Sequence, residues 1–247
     1  MTENVLAAAT IEPPGTHPHW DLFGLIVNSD TVVSTLVASV IIVALGFFVR
    51  AKVTSGVPNG VQLFFETVNK LMRTQIENAI GVRVAPFLMP LSITLFILIL
   101  ACNWLSVLPA HVGGKDVLPP PTSDVNLVYA LALLLFLWKH VAGVKRHHGI
   151  GRHFLHVAKG HYPPLAPLWI LEEFTNLLSL PLRLFGNIFA GGIMIELFGL
   201  LPAYVLWLPN AGWKLFDMGI GLIQAFIFVL LTIMYFSEAM EVREGEH

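Results

Sequence analysis

Five apolar stretches recur along this 247-residue chain, at about residues 31–50, 86–108, 125–144, 167–201 and 211–238, and they leave it few folds to choose from. A helix rises about 1.5 Å per residue, so about twenty residues cross a hydrocarbon core of about 30 Å with every backbone hydrogen bond made internally. Composition points the same way. With 55% hydrophobic and only 12% charged residues there is too little polar surface to wrap a soluble globule. The expectation is an all-α polytopic membrane protein. It has five transmembrane helices and a polar, Pro/Gly-punctuated external segment over residues 1–30, with 31–247 forming one membrane domain.

Between the first two spans, residues 57–84 place Leu63, Phe64, Phe65, Val68, Leu71, Met72 and Ile76 among Glu66, Lys70, Arg73, Glu77 and Arg83 at helical spacing. That pattern predicts an amphipathic helix lying in the cytoplasmic interface. The last two apolar runs are longer than a perpendicular crossing needs, so both helices are expected to tilt strongly or protrude. Ser123 or Asp124 can cap the third span.

Several function classes fall away. A net charge of −2 with no dense basic face gives no nucleic-acid signal. The lone Cys102 excludes an internal disulfide or a thiolate metal cluster. The histidines sit in loops, tails or span ends such as His140, without a mid-membrane pair to ligate haem, and no cofactor or metal is expected. The amino terminus has no basic region leading into an apolar one, so no cleaved signal is expected.

Orientation follows from the fourteen Lys and Arg. With the amino terminus outside, Arg50, Lys52, Lys70, Arg73, Arg83, Lys139, Lys145, Arg146, Arg152, Lys159 and Arg243 fall inside. Only Lys115 and Lys214 fall outside, and Arg183 lies within the membrane.

Arg183 is the one basic residue in the apolar segment Leu171–Leu201. A guanidinium cannot shed its charge, and at mid-membrane it costs at least about 2.5–3.5 kcal/mol, so it must face protein or trapped water and meet an anion. On a helix Asn176, Arg183 and Asn187 share one stripe, continued by Ala190 and Gly191, where small residues admit a close neighbour. Pro181 frees the carbonyl of Leu177. Glu196 lies about 220° round from Arg183, on another face. On the last segment Asp217 and Gln224 share a face. Antiparallel packing of the two segments would bring Gln224 near the Arg183 level and set Glu196 and Asp217 in one polar cleft at the outer end, where carboxylates could relay protons. Glu172 and Glu173 either suit the start of the helix or serve proton exit, and Asp124 and Asn126 either cap the third span or line an outer water path.

SLPLRLFGNIFAGG followed by GLIQAFIFVLLTIMYFSEA, with PLWILEEFTNLLSLPLRLFGN and the earlier SDVNL, resembles the subunit a family of F-type rotary ATP synthases over nearly the whole chain. The resemblance implies that Arg183 faces a ring of c subunits and separates two offset aqueous half-channels. It implies that Asn187 and Gln224 set Arg183 in place, as Asn176 on the same stripe would. Glu196, Asp217, Asp124 and Asn126 would then belong to the outer channel, and Glu172 and Glu173 to the inner exit. The implied partners are the c-ring, peripheral-stalk b-type subunits, and indirectly the F1 catalytic sector, in a bacterial inner membrane. The chain itself would be non-catalytic toward ATP. Many members carry an acid where this chain has Gly192, and Glu196, one turn beyond, is placed to replace it. The alternative class is a secondary proton-coupled transporter in which Arg183 binds an anionic substrate. Inverted repeats would favour it, and the five spans do not divide into halves.

Overall fold

The computed structural model describes residues 19–22, 25–54, 56–105, 111–112, 115–116, 121–147, 149–151 and 166–240; within these, some side chains along 166–199 are not described. In chain order come strands β1 (His19–Leu22) and β2 (Leu25–Asn28), then helices α1 (Ser29–Lys52), α2 (Gly60–Ala79) and α3 (Leu88–Leu105). Strands β3 (His111–Val112) and β4 (Lys115–Asp116), a 3-10 turn at Pro121–Ser123, and helices α4 (Val125–Arg146), α5 (Ala166–Gly199) and α6 (Ala203–Met240) follow. Helices dominate, as the apolar runs require. The strands, which the hydropathy pattern does not anticipate, form two short antiparallel hairpins, β1 with β2 ahead of α1 and β3 with β4 between α3 and the 3-10 turn.

Among the described residues four helices are long and apolar enough to cross a membrane: α1, α3, α4 and the Tyr204–Met240 stretch of α6. The expected fourth span appears as the 34-residue α5, and α6 runs for 38 residues, or about 51 and 57 Å. Both exceed a core of about 30 Å. Two prolines inside these helices do not end them: Pro181 in α5, and Pro209 in α6, which starts eight residues before the expected boundary at 211. Each proline removes one backbone bond, a loss that membrane helices absorb through neighbouring contacts.

Helix α3 is apolar all round, so it belongs in the middle. Its Leu95, Phe96, Ile99 and Leu100 meet Ala225, Phe228, Val229, Ile233 and Phe236 of α6 and Val128 and Leu135 of α4 in one core. Where these three helices converge, the rings of Phe87, Trp138 and Phe236 stack and abut with centroids 5.6–6.4 Å apart. Helix α1 is built the opposite way round from a soluble helix. Its small and polar Ser29, Thr31, Ser34 and Ala38 are buried, while Leu36, Val40, Val43 and Phe47 are exposed. Small residues let backbones approach where lipid gives no hydrophobic drive between helices.

The amphipathic helix expected over 57–84 is the shorter α2. Asn59 caps it, accepting from the Gln62 N–H at 2.9 Å, and Val68, Met72 and Ile76 are buried in the core while Leu63, Phe64 and Leu71 are exposed. It ends at Gly81, whose φ of +86° only glycine adopts at no steric cost and whose N–H reaches the Ile76 carbonyl at 2.9 Å. The Ala79 carbonyl, one of the last-turn acceptors without an intrahelical donor, receives the Ser237 hydroxyl of α6 at 2.7 Å.

Lys139, within the third expected span, counts with the inside cations. It is buried on α4, with Nζ 5.4 Å from the Phe136 ring centre and 5.3 Å from that of Tyr235. Its stem packs in the core while its charge rests on aromatic faces. Removing it from the orientation count leaves the inside excess intact.

Candidate functional site

Most of the candidate residues read from the sequence belong to α5 and α6, and further buried polar groups lie on α3, the 3-10 turn and the start of α1. The two long helices run antiparallel: Phe198 on α5 meets Trp213 on α6 with ring centres 6.0 Å apart, and Gly191 meets Asp217. A methyl carbon built on Gly191 would lie 3.4 Å from Oδ1 of Asp217 and 4.0 Å from Oδ2. The small-residue stripe foreseen on α5 therefore admits a carboxylate.

That contact also sets the register. Arg183 lies eight residues from Gly191 and Gln224 seven from Asp217, each toward the same end, whereas from the Phe198–Trp213 contact the steps are fifteen and eleven, so their levels along the pair lie within about 6 Å of each other. Gln224 is buried, and its Nε2 has no hydrogen-bond partner among the described residues. Arg183 is exposed on α5, and among the described residues no carboxylate pairs with it. Asp217 is half-buried. The calls on Glu172, Glu173, Asn176, Asn187 and Glu196 fall on side chains outside the described residues, although their backbone belongs to α5.

Asp124 takes up the capping role expected of Ser123 or Asp124. It caps α4, with Oδ1 accepting from the Asn126 N–H at 2.9 Å. Its Oδ2 accepts from Asn28 Nδ2 at 2.7 Å and from Thr31 Oγ1 at 2.8 Å, and the residue is only 5% exposed. The carboxylate so joins the start of α1 to the start of α4. The Asn126 side chain is exposed.

Asn103 escapes a reading based on charged residues. It is 4% exposed on α3, donates Nδ2 to the Gly221 carbonyl of α6 at 3.2 Å, and accepts from Thr122 Oγ1 at 3.2 Å. Beside it, Trp104 Nε1 donates to the Met218 carbonyl at 3.1 Å. The signal was present in LACNWL, where a carboxamide in an apolar span demands a partner on another helix.

Among the described residues no group of histidine, cysteine and acidic side chains could hold a metal ion. What the arrangement offers is a cation on an exposed helix surface, a carboxylate between α5 and α6, and polar contacts that join α3 to α6 and the start of α1 to that of α4.

Comparison with known proteins fits that arrangement. The family model described as "ATP synthase A chain" matches residues 32–237. Proteins named ATP synthase subunit a from Mycobacterium marinum and Mycobacterium leprae are each 52% identical to this chain, covering 100% and 99% of both sequences respectively. One of the same name from Acidothermus cellulolyticus is 46% identical over 91% of this chain and 82% of its own length. The chain belongs to the ATP synthase subunit a family.

Proposed function

We propose that this chain is the stator subunit that carries protons to and from the c-ring of an F-type ATP synthase and so couples proton flow to ring rotation and ATP synthesis. It sits in a bacterial inner membrane with five spans, α5 and α6 strongly tilted, the amino terminus outside and the carboxyl terminus in the cytoplasm. Its neighbours are the c-ring, b-type stalk subunits and, indirectly, the F1 sector.

A proton enters from outside between α5 and α6 by way of Glu196 and Asp217, near Asp124 and Asn126, and passes to a carboxylate on the ring. The ring carries it round to an inner path by Glu172 and Glu173, where it leaves. The bare carboxylate then meets Arg183, held in place by Gln224, Asn187 and Asn176. Opposite unit charges about 4 Å apart attract by about 4 kcal/mol at an effective dielectric of about 20, so the guanidinium holds the ring group ionised. Its charge also bars direct proton passage between the two channels.

The observation that carries this reading is the exposure of Arg183 on an apolar helix that packs antiparallel to α6. A permanent cation at such depth needs an anion, and an outward-facing one is placed to find it on a second protein. The test is Arg183→Ala in inverted membrane vesicles. ATP synthesis driven by a proton gradient should disappear, and normal coupled synthesis would sink the reading.

A further inference from the structure

Two consecutive residues of α3 hold backbone carbonyls of α6 within one turn of Asp217. Asn103 Nδ2 reaches Gly221 at 3.2 Å and Trp104 Nε1 reaches Met218 at 3.1 Å. A helical carbonyl already receives its intrahelical N–H, and its second lone pair is open only where side chains do not cover it. Gly221 provides that opening. A Cβ there would stand 3.1 Å from Asn103 Cβ and 3.7 Å from Nδ2, so the close approach of α3 depends on a bare backbone. Thr122 Oγ1, donating to Asn103 Oδ1 at 3.2 Å, holds the carboxamide so that its NH₂ group points at α6. Four residues back along α6, close to the face that carries Gly221, Asp217 rests against Gly191.

We infer that Asn103 and Trp104 are positioning residues that fix the rotation of α6 about its own axis, keeping the Asp217 carboxylate on Gly191. This rests on the reading of Asp217 as an entry-path carboxylate. A helix is about 10–12 Å across, so a 20° rotation moves a group at its rim by roughly 2 Å. Displacement of about 1 Å can cost a reaction about a hundredfold. Among the described residues the charged groups nearest in sequence position to this contact are Lys214, one turn from Asp217 on α6, and Arg183, about 12 Å along α5 from Gly191; Glu196, five residues beyond Gly191, has its side chain outside the described residues. A rotation alters the distance of Asp217 to the groups on α5.

The test uses the assembled complex in inverted vesicles, with Asn103→Leu, Trp104→Phe and Arg183→Ala. Asn103→Leu should lower proton-driven ATP synthesis about tenfold and Trp104→Phe about twofold. Both should keep the parent amount of co-purifying ring and shift the pH on the proton-entry side at which synthesis is half-maximal. Loss of packing alone would change the amount of complex and leave that pH where it was. If Arg183→Ala is inactive while both α3 variants keep the parent rate and pH profile, the positioning role is overturned and the function stands. Normal synthesis in Arg183→Ala would overturn the function and this role with it. Should Asn103→Leu not assemble, Trp104→Phe decides by the same two readings.

Discussion

The carboxylate of Asp217 lies against the bare backbone of Gly191, with Oδ1 3.4 Å from where a methyl carbon would stand. One added carbon makes an ordinary van der Waals contact at that distance, whereas a branched side chain occupies the carboxylate's place. Gly191→Ala should therefore keep most of the proton-driven ATP synthesis and Gly191→Val should lower it by up to about a hundredfold, the cost of misplacing a reacting group by about 1 Å. Equal activity in the two variants would show that the contact is incidental.

Replacing the carboxylates tests the entry path. Asp217→Asn and Glu196→Gln should each slow proton flux from outside, because an amide cannot take up and release a proton at working pH. ATP hydrolysis by the detached catalytic head should not change. Unaltered flux in the double variant would make both groups structural.

Asp124 predicts a loss of stability. Asp124→Ala removes the cap of α4, worth about 1 kcal/mol, and leaves the Asn28 and Thr31 donors without their acceptor, at about 1–3 kcal/mol more. Asp124→Asn keeps one acceptor oxygen and should fall between. Thermal unfolding of the detergent-solubilised complex measures this, and a midpoint unchanged in Asp124→Ala would remove its anchoring role.

The hydroxyl of Ser237 closes the end of α2. Its 2.7 Å bond to the Ala79 carbonyl contributes about 1 kcal/mol, which corresponds to about a fivefold change in local opening. Ser237→Ala should speed amide hydrogen exchange at Ile80 and Gly81 by about that factor and leave the middle of α3 unaffected. Exchange at the parent rate would mean that the cap at Gly81 suffices.

Membrane crossing was legible because a helix in lipid satisfies its backbone within its own segment, so run length alone decides it. The amphipathic α2 was legible too, since its buried Val68, Met72 and Ile76 recur at helical spacing. Arg183 stood out for a similar reason: an unneutralisable charge in an apolar run is costly whatever surrounds it. Even the shared face of Asp217 and Gln224 followed from periodicity.

Partnership was a different matter. Asp124 meets Thr31 and Asn28, 93 and 96 residues away, Asn103 meets Gly221, 118 residues away, and Lys139 lies close to the rings of Phe136 and Tyr235, the latter on another helix. These pairings depend on the rotation and register of each helix against its neighbours. A helix that is apolar all round, as α3 is, carries no periodic mark of either. Packing along the full length of α3, α4 and α6 settles them, and so settles which polar groups touch.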